Sequence, residues 1–127
     1  GKSYINMYRQ FDGYIEGMGV DLAEFLLPFT MVNGIRMNEE RKVANGGGCL
    51  AAQIVAHFKE DAGGIYLHPT NGKPGDCWEE FIYTIFVTDN QEKDNIIISV
   101  YDVWRKDTIF IGTPAELLTK HVQKETV

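Results

Sequence analysis

The sequence is short of several things, and each shortage removes a class of function. No stretch approaches the roughly 18 consecutive apolar residues of a membrane-spanning helix. Basic residues are in the minority, 12 Lys and Arg against 18 Asp and Glu, for a formal net charge of −6. General nucleic-acid binding needs a basic face to neutralise phosphates, so this balance argues against it, and equally against adhesion to anionic membranes. Cysteine is scarce too. Cys49 and Cys77 lack the short paired spacing of a zinc site, and His57, His68 and His121 are scattered singly, so no metal site is expected. No charged-then-apolar leader precedes the first strand, and the two cysteines read as reduced thiols in a cytoplasmic protein. Repeats, low-complexity tracts and linkers are absent as well, so residues 1–127 read as one globular domain.

What is there is a strand-and-helix pattern. YINMYRQF (4–11) reads as a strand closed by the turn pair Asp12-Gly13. Leu22, Phe25, Leu26 and Phe29 follow at i, i+3, i+4, i+7, which predicts an amphipathic helix over about 19–27, interrupted by Pro28. Residues 30–44 are mixed, with Asn38 suited to cap a short charged turn. NGGGCLAAQIVAHFKED then predicts a largely buried helix over about 47–60, striped by Leu50, Ile54 and Phe58 and stopped by Gly63-Gly64. IYLH (65–68) reads as a short strand. EEFIYTIFVT (79–88) puts Phe81, Tyr83, Ile85 and Val87 on one face, and NIIISVYDVW (95–104) pairs with it as an antiparallel hairpin. TIFIG (108–112) is the last strand. Thr113-Pro114-Ala115-Glu116 then has the form of a capping box with proline at the first helical position. The order β-α-α-β-β-β-β-α predicts an α+β fold, a two-layer domain with an antiparallel sheet of about five strands and helices packed on one face.

Three constellations bear on chemistry. In YRQFDGYIEGMG (8–19), Arg9 suits a bidentate grip on an anion, Tyr8 or Tyr14 a stacking surface, and Asp12 or Glu16 a hydroxyl acceptor. The competing reading is turn grammar, with Gly17 and Gly19 making a bend before a helix. The run Gly46, Gly47 and Gly48 at a helix entrance offers backbone amides to an anion but lacks the P-loop lysine, and its glycines equally suit close helix packing. Cys49 begins the same helix, where the dipole favours thiolate. A thiol enzyme needs a base, however, and His57 lies eight residues on, about 12 Å along the axis. Trp78, Tyr83, Tyr101, Asp102, Trp104 and Arg105 gather around the hairpin, as a partner surface or as ordinary cross-strand pairs.

YRQFDGYIEGMGVDLAEFL, NGGGCLAAQIVAHFK and GGIYL together resemble a small family of uncharacterised bacterial, phage and environmental proteins. The resemblance spans about the first half of the chain. It carries Tyr-Arg, Asp-Gly-Tyr, Gly-x-Gly and Leu-Ala, and departs from the family pattern at Ile15 and Gly47. It implies a single domain of phage or mobile-element kinship and supplies no catalytic residue.

These residues together point to a homo-oligomeric binding module for a small anionic, nucleotide-like ligand, without a cofactor. Its expected contacts are Arg9, Asp12, Tyr14 and Glu16, joined by Gly46, Gly47 and Gly48 if the two glycine-rich helix entrances share one end of the sheet. The alternatives are a protein-interaction module using the aromatic sheet face, and a thiol-dependent enzyme using Cys49.

Overall fold

A computed structural model of the chain describes residues 6–9, 13–32, 42–68, 80–87 and 96–121. Asp12, Asn38, Cys77 and Trp78, each given an expected role above, lie outside these residues. The element order is β1 (Asn6–Arg9), a π-helical turn (Ile15–Gly19), α1 (Val20–Leu26), β2 (Thr30–Val32), β3 (Val43–Asn45), α2 (Gly46–Phe58) and β4 (Ile65–His68). Then come β5 (Phe81–Val87), β6 (Ile96–Asp102), β7 (Asp107–Gly112) and α3 (Pro114–His121).

The α+β class holds, but the strands divide differently from the expectation. Instead of one antiparallel sheet of about five, the described residues form a three-stranded antiparallel sheet β5-β6-β7 and two separate pairs. β1 pairs antiparallel with β4, and β2 pairs parallel with β3. Period-two alternation fixes which way side chains point but not which edge a short strand joins. β1 and β4 have four residues each and take one another as partner across α1 and α2.

The hairpin reading is met. Phe81 pairs with Asp102 and Val87 with Ile96, which places Ile96, Ile98 and Val100 in the core. Phe81, Tyr83, Ile85 and Val87 pack on the same buried cluster. On the layer above the sheet, α1 packs against α3, and α3 against β6 and β7. The buried cluster runs through both helices and the sheet, with Leu22, Ala23 and Leu26 of α1, Leu117 of α3 and Ile98 and Val100 of β6 at 3% exposure or less.

α2 departs from its expected burial. Leu50, Ala51 and Ile54 are buried, but Ala52, Ala56 and His57 are exposed and Phe58 is half-buried. The small residues that made the helix look buried all round leave one of its faces uncovered. Gln53 ties the helix to β3, its Nε2 donating to the Val43 carbonyl at 3.0 Å.

Two glycines answer to geometry. Gly46 enters α2 at φ 80°, a left-handed conformation that favours glycine. At Gly19 a Cβ would lie 2.8 Å from Ile15 Cγ1 of the same π turn, so a side chain there would force Ile15 to shift, while Tyr83 Cε1 at 3.4 Å is in ordinary contact.

The capping box forms as written in the sequence. Thr113 N–H donates to Glu116 Oε1 at 2.9 Å, and Glu116 N–H donates to Thr113 Oγ1 at 3.2 Å. Removing the cap with Thr113→Ala should destabilise the fold by about 1 kcal/mol. Leu117→Ala, one turn on and fully buried, should cost roughly 2–5 kcal/mol because it leaves a cavity. Urea unfolding of the two variants checks both magnitudes and their order.

Candidate functional site

An open cleft of about 740 Å³ lies among the described residues. Arg9 of β1 and Ile65 of β4 line it from the ribbon, and Asp21, Glu24, Phe25 and Pro28 from α1 and its exit. Lys42, at the entry to β3, and His57, Phe58, Glu60 and Gly64, at and beyond the end of α2, complete it. Its volume falls in the range of small-molecule sites, about 300–1,000 Å³.

α1 supplies one wall through a spacing that accompanies its core stripe. Asp21, Glu24, Phe25 and Pro28 stand at i, i+3, i+4, i+7, one step round the helix from Leu22, Ala23 and Leu26. Phe25, expected in the core, is therefore half-buried at the boundary: it packs on the cluster and faces the cleft as well.

Phe25 is also the centre of an aromatic group. The His57 ring stacks on it at 4.2 Å between centroids with 22° between planes. Phe29 lies at 5.0 Å and Phe58 at 5.9 Å. Lys42 Nζ stands 5.9 Å from the Phe25 ring centre and 5.6 Å from that of Phe29, within cation–π range. Among the described residues Lys42 makes no ion pair.

Arg9 does enter the cleft, but with its charge already matched. Its Nη1 donates to Asp21 Oδ2 at 2.9 Å and lies 3.0 Å from Met18 Sδ, while the guanidinium carbon sits 5.8 Å from the Phe58 ring centre. The Asp21 side chain is 44% exposed, so solvent screens the pair and its contribution to stability is modest.

The other expected ligand contacts are placed elsewhere. Tyr14 is 51% exposed at the head of the π turn, where its carbonyl accepts from Gly17 and Met18 N–H at 3.0 Å each. Glu16 turns towards the end of α3: His121 Nδ1 is 3.4 Å from its Oε2, close enough for an ion pair but without hydrogen-bond alignment. Gly46, Gly47 and Gly48 open α2, eleven residues and about 16 Å of helix rise from His57. The cleft takes the far end of that helix, so it joins Arg9 to His57 and Phe58 and not to the glycine run.

Cys49 is half-buried with Gln53 Nε2 at 3.4 Å from its Sγ. His57 is held against Phe25, and His121 lies against Phe110 and Glu16, so neither supplies a base to that thiol. No group of three His, Cys, Asp or Glu suited to a metal ion occurs among the described residues, and no described helix is long and apolar enough to cross a membrane. No family model, curated protein or solved structure matches the chain.

The stretch that carried the sequence argument, residues 8–19, has a structural role that the structure makes explicit. The Tyr83 hydroxyl donates to the Gly13 carbonyl, pinning the loop to β5. Burial pushes the Tyr83 phenol above its ordinary range, and the negative charge of Glu16 adds to the rise; a Gly19 backbone hydrogen bond and Arg9 pull the other way. A raised phenol keeps its proton in the fold where the unfolded chain has lost it. Its contribution is therefore intact below about pH 10 and is lost as pH climbs towards the folded value. Alkaline unfolding followed by phenolate absorbance should accordingly find one tyrosine titrating last, together with unfolding, and Tyr83→Phe should abolish that late step.

Proposed function

We propose that the chain is a binding module for a small ligand with a flat apolar body and an anionic group, seated in the cleft between α1, the end of α2 and the β1-β4 ribbon. One observation carries the reading. An exposed lysine ammonium without an ion-pair partner among the described residues stands beside a stacked Phe25–His57 pair in a cavity of ligand size. The ring pair offers a flat surface, and Lys42 a charge for a carboxylate or phosphate. Arg9 takes part by holding Asp21 and covering Phe58. This keeps the expected binding activity and Arg9, and moves the remaining contacts from the 12–16 loop and the glycine run to Phe25, Lys42 and His57.

A second reading is favoured by the outer face of the β5-β6-β7 sheet. Ile82, Thr84 and Phe86 stand opposite Tyr101, Ser99 and Ile97, and Ile111 opposite Ser99, a set without a charged side chain. Phe86 is 52% and Ile111 65% exposed, and Trp104 in the β6-β7 turn is 81% exposed. Such a face suits a protein contact, including the homo-oligomer expected from the hairpin pattern.

One set of backbone amide spectra separates the two. Titration with 3-phenylpropionate, a phenyl ring bearing one carboxylate, should move the amides of Phe25, Lys42, His57 and Gly64. Lys42→Ala should weaken that binding about tenfold, equivalent to about 1.4 kcal/mol. Silence at these amides, with dilution alone moving Phe86, Ile97 and Ile111, would replace the cleft reading with the interface reading.

A further inference from the structure

The charges around the cleft narrow the ligand further, granted the cleft reading above. Among the described residues the lining carries three carboxylates, Asp21, Glu24 and Glu60, against two permanent cations, Arg9 and Lys42. Arg9 and Asp21 satisfy one another at 2.9 Å. What remains for a ligand among the described residues is the Lys42 ammonium and the Glu24 and Glu60 carboxylates, all three on exposed positions. The half-buried rings of Phe25 and Phe58 line the same cleft.

A phosphate-rich ligand meets this rim badly. Among the described residues Lys42 attracts it, while two carboxylates and a chain of net charge −6 repel it. A purely cationic ligand meets the converse difficulty at Lys42. A ligand with one charge of each sign and an aromatic body matches all three features of the lining. We infer that the cleft selects a small aromatic zwitterion, of the size of an aromatic amino acid or a dipeptide containing one. Its carboxylate pairs with Lys42, its ammonium with Glu24 or Glu60, and its ring lies against Phe25, His57 and Phe58.

The inference narrows the nucleotide-like expectation on electrostatic grounds, and it differs from the general cleft reading in what it forbids. Either charge alone should still bind, but at least tenfold more weakly, because part of the rim then faces an unmatched group. Both glutamates sit on exposed positions, so neutralising them leaves the buried cluster intact.

The matched probe set is phenylalanine, 3-phenylpropionate (which lacks the ammonium) and phenethylamine (which lacks the carboxylate), with adenosine monophosphate as the nucleotide. Affinities come from amide-shift titration of the full chain. Phenylalanine should bind at least tenfold tighter than either single-charge analogue or the nucleotide. The paired variant Glu24→Gln, Glu60→Gln should erase its advantage over 3-phenylpropionate without weakening 3-phenylpropionate itself. If 3-phenylpropionate or the nucleotide binds as tightly as phenylalanine, the zwitterion inference is overturned while the cleft reading stands. If no probe moves the cleft amides, both are overturned. An advantage for phenylalanine that survives the paired variant removes the glutamates' role, and the inference with it.

Discussion

Everything in this molecule leans on the seating of α1. Seven residues, Val20–Leu26, are too few to hold a helix by propensity alone, so the helix exists because its buried face is packed. Leu22, Ala23 and Leu26 are at 3%, 0% and 1% exposure, enclosed by the α3 and sheet side chains of the same cluster. Gly19 leaves room for Ile15 within the preceding π turn, and the Tyr83 hydroxyl clamps the loop before it at the Gly13 carbonyl. The helix is thus gripped at its entry and along one face.

The cleft inherits its geometry from that grip. A helix whose core face is fixed presents its adjacent face at a fixed angle, and on α1 that face is Asp21, Glu24, Phe25 and Pro28. Asp21 then orients Arg9 of β1, and Phe25 orients His57 of α2, so one short helix gathers side chains from a strand and a second helix. The packed parts of the cleft wall are apolar, and its remaining charged groups, Glu24, Lys42 and Glu60, sit on exposed positions.

The sequence made most elements legible, though not β2, β3 or the π turn, and the assembly much less so. The capping box at Thr113 and Glu116 and the β5-β6 hairpin follow from local spacing, because caps, turns and alternation are local physics, whereas both faces of β6 read as apolar and only the fold puts Ile96, Ile98 and Val100 inward. The strand pairs β1-β4 and β2-β3 are choices among distant edges, which period-two patterns do not encode. The lining of the cleft was only partly legible. Arg9 was singled out by its company in YRQFDGYIEGMG, whereas Glu16 from the same stretch turns to His121. The i, i+3, i+4, i+7 set at Asp21, Glu24, Phe25 and Pro28 was present in the letters, overlapping the core stripe at Phe25. Lys42 and His57 carry no motif; only the fold brings them to Phe25.

Amide hydrogen exchange under native conditions tests the seating of α1 most directly. If α1 is locked into the same cluster as the sheet, the amides of Phe25 and Leu26 should open with the same free energy as those of Ile98 and Val100, through global unfolding. Exchange of the α1 amides through a local opening, about 2 kcal/mol or more below that of β6, would contradict the account. The wall of the cleft would then be a mobile flap on a sheet that stands without it.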